Sequence, residues 1–247
     1  MPPLSRRLFL AALPAVLSAN EDPQAYAARF AAEINRPVAL SPAVQDFYAA
    51  YLQPHPELAP NQFVALVDRN PKSQLFLLYW RAPGGQFRFL GACPVSTGLP
   101  GRFEYFLSPL GLFEHSLAHP DFRAEGTKNE YGIRGYGEKG MRVYDFGWVR
   151  ANKTWGDRRE SALRLQMHAT DPDRLEPRLG IPLSKGCIRI PTSLNRFLDR
   201  YGILDAAYLE ARREGRRLWV LPPDWNPTPW AGRYLVIIDT SGAWLTL

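Results

Sequence analysis

The residues best equipped for chemistry are a cysteine held in Ser184-Lys185-Gly186-Cys187-Ile188-Arg189 and a histidine, His168, at the end of an apolar segment upstream. A cysteine between a glycine and a following arginine, in a turn, presents its sulfur beside backbone N–H groups and cationic side chains. Those are the surroundings in which a thiolate forms at neutral pH. Such a nucleophile needs a partner that accepts its proton and later returns it to a leaving amine, and the unperturbed pKa of histidine suits both steps. Cys187 and His168 are therefore the candidate nucleophile and base. A free cysteine is otherwise most often a small buried hydrophobe, so the pairing rests on order, spacing and flanking turns taken together.

His168, fifteen intervening residues and Ser-Lys-Gly-Cys-Ile-Arg resemble the signature of the L,D-transpeptidase (YkuD-like) catalytic domain. That family usually has His, a spacer of this length, then Ser/Thr-His-Gly-Cys-hydrophobic-Arg/Asn. Val95-Ser96-Thr97-Gly98 resembles its early Ser-Thr-Gly turn, and Ser108-Pro109-Leu110-Gly111-Leu112-Phe113 its Thr-Pro-x-Gly-x-Phe segment. The likeness runs from about Asn61 to Asp205. The chain departs at Lys185, where a second histidine is usual, and at Ala169, where Gly or Ser is common.

The resemblance implies a β-sandwich core and a Cys187 thioester formed from diaminopimelate-containing peptidoglycan stem peptides. It also implies His168 as general base and acid, no cofactor, and covalent inhibition by carbapenems. The thioester then passes to an amine, in 3-3 cross-linking, protein attachment or exchange of a terminal D-amino acid. Water in place of the amine gives an L,D-carboxypeptidase or endopeptidase. A wall-binding scaffold that has lost catalysis, with Lys185 as its mark, and acyl transfer on a non-murein substrate are the other readings.

Within that chemistry the N–H groups of Gly186 and Cys187 are the expected oxyanion donors, each typically worth ~3 kcal/mol, and Gly186 keeps the carbonyl's approach open. Lys185 favours the thiolate and pairs with a substrate carboxylate, or else points into water. Arg189, two residues past Cys187, falls on the same face of a strand. There its guanidinium forks onto a peptide carboxylate, or makes a structural pair with an acid such as Asp199. Ser184 is expected to fix the turn through side-chain to backbone hydrogen bonds. Tyr136 lines the groove, whereas core packing is the default for Trp148. Asp171-Pro172-Asp173 either orients the imidazole or makes a turn. His115 and His119 have the i, i+4 spacing of a zinc pair but lack the following glutamate and a third ligand, so no metal is expected.

The chain has 247 residues, 46% of them hydrophobic, which is enough for one sizeable core. Thirty Lys and Arg against 24 Asp and Glu leave +6. This mild excess is scattered, unlike the concentrated basic face of a nucleic-acid binder, and it suits an anionic polymer. A short cluster, Arg212-Arg213 and Arg216-Arg217, has the composition of a solvated helix face. At the start, Ser5-Arg6-Arg7-Leu8-Phe9-Leu10 opens an apolar run from Leu8 to Leu17 that ends at Ser18-Ala19. This order is that of a twin-arginine export signal, and the run is too short to span a bilayer stably. A periplasmic or cell-envelope protein is expected, with no stable membrane span after signal cleavage. Of the two cysteines, Cys93 sits in an alternating strand as a buried thiol, leaving Cys187 free.

Four segments follow: an export signal at 1–19, a helical lead-in with a Pro-rich linker at 20–60, a catalytic domain at 61–205, and a helix and strands completing the same globule at 206–247. Glu21 to Gln53 predicts two helices parted at Arg36-Pro37. Strands are predicted at Phe63 to Arg69, Gln74 to Arg81, Gln86 to Val95, Met141 to Val149 and Ala162 to Met167. Thr97 to Lys139 is expected as loops over the site. Thr192 to Tyr201 and Asp205 to Arg213 predict helices, and Arg217 to Leu221, Tyr234 to Ile238 and Ala243 to Leu247 predict strands. The fold class is mainly β with flanking helices.

Overall fold

Three runs rich in Val, Leu, Phe, Tyr and Trp fold as an antiparallel meander in the computed structural model, which describes residues 22–243. They are β1 (Gln62–Asp68), β2 (Leu75–Arg81) and β3 (Phe87–Pro94). Two further strands, β9 (Tyr234–Ile238) and β4 (Gly111–Glu114), extend this sheet in the order β3-β2-β1-β9-β4, with β9 parallel to β1. A second sheet has the order β5-β6-β7-β8, formed by Phe122–Arg123, Arg142–Asn152, Glu160–Ala169 and Ile188–Ile190. β7 and β8 run parallel, while β6 is antiparallel to both β5 and β7. The architecture is mainly β, with two mixed sheets and four short helices among the described residues.

β1 is apolar on both faces because both are covered. Phe63, Ala65 and Val67 join Tyr144, Leu165, Met167, Ile188 and Ile190 of the second sheet in one core. Helices α1 (Ala25–Glu33) and α3 (Thr192–Arg200) contribute Tyr26, Phe30, Leu194 and Phe197 to it. Val64 and Leu66 face the other way, against Tyr48 of α2 (Pro42–Ala50) and Leu52 and Leu58 beyond it. Both N-terminal helices are thus built into the same layers as the strands. Gly91 on β3 makes this possible for α1, since a Cβ there would stand 2.2 Å from the Phe30 ring.

A buried ionic cluster ties the start of β6 to the C-terminal half of the chain. Arg142, fully buried, donates from Nε to Asp121 at 2.6 Å and from Nη1 and Nη2 to Asp205 at 2.8 Å each. Asp205 leads into α4 (Ala206–Arg213). Asp199 on α3 takes Arg123 and Arg142, so it is not available to Arg189.

Several expectations are corrected here. The stretch 97–139 contains β4 and β5, two short strands whose patterns are too brief to show period-two alternation. Residues 217–221 form turns, not a strand; Pro222 and Pro223 follow directly and cannot supply ladder N–H groups. The export signal at 1–19 lies outside the described residues, as does nearly all of the last predicted strand. Among the described residues no helix is long and apolar enough to cross a membrane.

Candidate active site

The register of the second sheet assembles the site. β7 and β8 pair with His168 opposite Arg189 and Met167 opposite Ile188, while β6 places Val143 opposite His168 and Asp145 opposite Gln166. Alternation then turns Met167, Ile188 and Ile190 into the core and leaves Gln166, His168 and Arg189 on the outer face. Cys187 immediately precedes β8, two residues before Arg189, and comes level with Gln166. Cys187 and His168 are therefore diagonal neighbours on one sheet face, a separation that side chains can bridge.

Both cysteines are free thiols; Cys93 is buried and Cys187 half-buried. The Cys187 sulfur donates to the carbonyl of Arg164 at 3.8 Å, and among the described residues no hydrogen bond joins it to His168. Burial pushes the Cys187 thiol above its ordinary pKa, against the lesser pull of the Gln166 N–H and the Arg189 guanidinium. The resting sulfur is therefore a thiol at neutral pH, not the thiolate expected from its neighbours in sequence. His168 is 4% exposed and is held neutral too, its pKa pushed down to about 4 by burial, with Arg189 adding to the effect.

The tautomer of His168 follows from a single bond. Nδ1 lies 2.6 Å from the carbonyl oxygen of Ala169, which can only accept, so Nδ1 carries the proton and Nε2 is left bare. A neutral imidazole with a bare nitrogen is a base. Tyr136 packs its ring edge-on against this imidazole, with centroids 4.7 Å apart. The Tyr136 hydroxyl donates to Gln166 Oε1 at 3.0 Å, and Gln166 Nε2 donates to the buried Asp145 carboxylate at 2.9 Å. Arg164 Nε also donates to Asp145, at 2.7 Å. Burial raises the Tyr136 phenol, and the nearby Cys187 and Asp145 raise it further.

Sequence reasoning missed Asp145, Arg164 and Gln166. Positions 164 and 166 were within reach of period-two alternation counted back from His168; Asp145 required the β6–β7 register. Asp171, considered for orienting the imidazole, instead accepts the backbone N–H groups of Asp173 and Arg174, and that of Arg134 at 2.9 Å. It thereby anchors the loop carrying Tyr136. Gly137 in that loop has φ +82, and a Cβ would stand 2.8 Å from Ala169.

The turn that carries Cys187 is stapled at three hydroxyls. Ser184 Oγ donates to the carbonyl of Cys187 and accepts the N–H of Gly186 at 3.0 Å. Ser108 Oγ donates to the Gly186 carbonyl at 2.7 Å and accepts the Gly98 N–H at 3.0 Å. Thr97, which takes the backbone N–H groups of Leu183 and Ser184 on its carbonyl, is itself held by Gln74 through Oγ1. Two expectations change as a result. The Gly186 N–H is occupied by Ser184 and does not face an oxyanion, whereas the Cys187 N–H has no protein acceptor among the described residues. Gly186 is required for another reason: its φ is +128, and a Cβ would meet Leu163 at 3.0 Å and Phe106 at 3.1 Å.

Lys185 turns away from the sulfur, with Nζ 3.4 Å from Glu104 and over the Tyr105 ring. It is exposed. Arg189 donates to the carbonyl of Leu183 at 3.2 Å and has no carboxylate partner among the described residues. Its guanidinium is half-buried, on the sheet face that carries Cys187. Trp148, the expected core residue, is 65% exposed and stands opposite Arg164 on the sheet face that carries Cys187. His115 is buried between Asp121, at 2.9 Å from Nε2, and the carbonyl of Leu204, at 2.8 Å from Nδ1. Both ring nitrogens are thus engaged. Among the described residues no group of His, Cys, Asp or Glu could hold a metal ion.

No protein-family model matches the chain. No curated protein matches it either. Among solved structures it is similar to the helical cell shape determining protein Pgp2 of Campylobacter jejuni, in a point-mutant form, at 15% identity and a TM-score of 0.34. The likeness covers 79% of this chain and 54% of the other, so the chain spans about half of that protein. A likeness this distant assigns neither fold nor activity.

Proposed function

We propose that the protein is a cysteine acyltransferase of the L,D-transpeptidase kind, acting on peptidoglycan stem peptides in the periplasm or cell envelope. The observation that carries this reading is the sheet face on which a half-exposed thiol, Cys187, stands diagonal to a neutral imidazole whose Nδ1 is tied to the Ala169 carbonyl. The unpaired Arg189 in the same row supplies what a substrate carboxylate needs.

The neutral pair sets the order of steps. As Cys187 Sγ attacks the amide carbonyl, His168 Nε2 takes the thiol proton, so neither charge exists unless a substrate is present. The oxyanion finds the Cys187 N–H, which has no protein acceptor among the described residues. Collapse breaks the C–N bond, and the imidazolium protonates the departing D-amino acid. The remaining thioester passes to an amine, whose proton returns through His168 to the sulfur.

The test is incubation of the purified protein with a tetrapeptide muropeptide, alone and with a D-amino acid, followed by mass analysis. Cross-linked or exchanged product is expected. Tripeptide alone would assign the chain to L,D-carboxypeptidases. No product, together with no carbapenem adduct on Cys187 of the folded, reduced protein, would refute the enzymatic reading in favour of a wall-binding scaffold.

A further inference from the structure

The end of α4 and the segment after it carry a surface that the chemistry above does not use. Arg212, Arg213, Arg216 and Arg217 lie within six residues, all are exposed, and none has a carboxylate partner among the described residues. Of the acids nearby, Glu210 pairs with Arg233 at 2.5 Å and Asp224 with Arg200 at 3.8 Å, while Glu214, exposed within the run, offsets one of the four charges. Arg212 donates to the carbonyl of Arg216 at 3.2 Å, which folds the turn back; Arg212 and Arg217 line one cavity, while Arg213 lines another with Glu57 and Glu210. Beside them Trp219 is 73% exposed. It lines a cavity of about 530 Å³ with Arg212, Arg217, Leu218, Leu221 and Trp225.

Arg212 and Arg217, on one cavity and without a carboxylate partner among the described residues, favour an anion there. An exposed indole beside Leu218 and Leu221 gains nothing from a purely ionic partner, and an apolar protein partner would have to desolvate the arginines. The surface where both needs are met is the lipid headgroup layer. There an indole sits with one end wet and one end apolar, and guanidinium forks match phosphate oxygens. We propose that this face docks the protein on a membrane surface rich in anionic phospholipid, with Trp219 at headgroup level and Arg212 and Arg217 on the phosphates. The surface shares no residue with the Cys187 site, so its fate is independent of the reading above.

Flotation of the full chain with phosphatidylglycerol–phosphatidylcholine vesicles, against phosphatidylcholine alone, tests it. Binding to the anionic vesicles is expected, falling with salt as the charges are screened. Each arginine near an anionic surface is worth about fivefold in partitioning, so R212Q/R217Q is expected to bind roughly 25-fold more weakly. W219A is expected to weaken binding while keeping the salt dependence. All three side chains are exposed, and an unchanged melting temperature verifies that the variants fold. Whatever the N-terminal apolar run contributes is common to parent and variants, so the ratio between them is the readout. Vesicle binding identical in parent and variants, equal binding to neutral vesicles, or capture by an anionic cell-wall glycan with vesicles ignored would each overturn the proposal.

Discussion

Protonation of His168 is the perturbation that most directly probes the site. The ring is 4% exposed and its pKa is pushed down to about 4 by burial and by Arg189 beside it. In the unfolded chain the same imidazole protonates near 6.5. Below that pH the unfolded chain binds a proton that the native protein refuses. Stability from this residue is therefore full above pH 6.5 and is lost progressively as the pH falls towards 4. At about 1.4 kcal/mol per pH unit, the window is worth about 3 kcal/mol. Carboxylates titrate in the same range, so the measurement is a difference. Urea unfolding of the parent and of His168→Gln, each at pH 7 and pH 4.5, should show the parent losing about 2–3 kcal/mol more than the variant. The same protonation removes the base, which places the acid limb of the acylation rate near pH 4 and not near 6.5. An imidazole that titrates near 6.5 by NMR, or equal losses in parent and variant, would refute the lowering of the His168 pKa by burial.

Three other outcomes follow from named contacts. Arg142→Met leaves the fully buried Asp121 and Asp205 without their shared cation and should cost about 3–5 kcal/mol in thermal or urea unfolding; a loss under about 1 kcal/mol would show that the cluster does not hold the β6 end to the C-terminal half. Gly186→Ala forces a side chain into φ +128 against Leu163, at a cost of about 1–3 kcal/mol, and carbapenem acylation of Cys187, followed by mass, should slow at least tenfold. Tyr136→Phe keeps the ring edge on His168 and removes the bond to Gln166; stability should fall by about 1 kcal/mol, while acylation falls about tenfold or more if the hydroxyl steadies the oxyanion. Unchanged acylation would remove Tyr136 from that role.

What could be read from the chain was local. Ser184, Gly186, Cys187 and Arg189 are neighbours in sequence, so their turn and their shared face followed from spacing, and the long apolar runs of β1, β2 and β3 declared themselves. What could not be read depended on contacts remote in sequence. Burial raises the Cys187 thiol, while the adjacent Lys185 pairs with Glu104 instead. The Gly186 N–H is lost as a donor because Ser184 Oγ turns back two residues, a rotamer choice that spacing does not dictate. Trp148 is exposed because the β6–β7 register shifts between Asp145 and Trp148, and such an irregularity inverts the face on which an alternating pattern places its side chains.

That same irregularity explains how one hairpin serves two environments. Before it, Tyr144 and Phe146 point into the core while Asp145 faces outward and is satisfied by Arg164, Gln166 and the Gly147 N–H. Beyond it, Trp148 stands open to solvent on the side that carries Cys187. At the irregularity Gly147, with φ +81, donates its N–H to the Asp145 carboxylate at 2.8 Å. Asp145 in turn orients Gln166, and Gln166 holds the Tyr136 hydroxyl above the imidazole. The placing of Tyr136 against His168 therefore rests on a bulge two strands from Cys187, and Gly147→Ala should slow carbapenem acylation of Cys187, followed by mass, about as much as Tyr136→Phe does; an unchanged rate would refute that route.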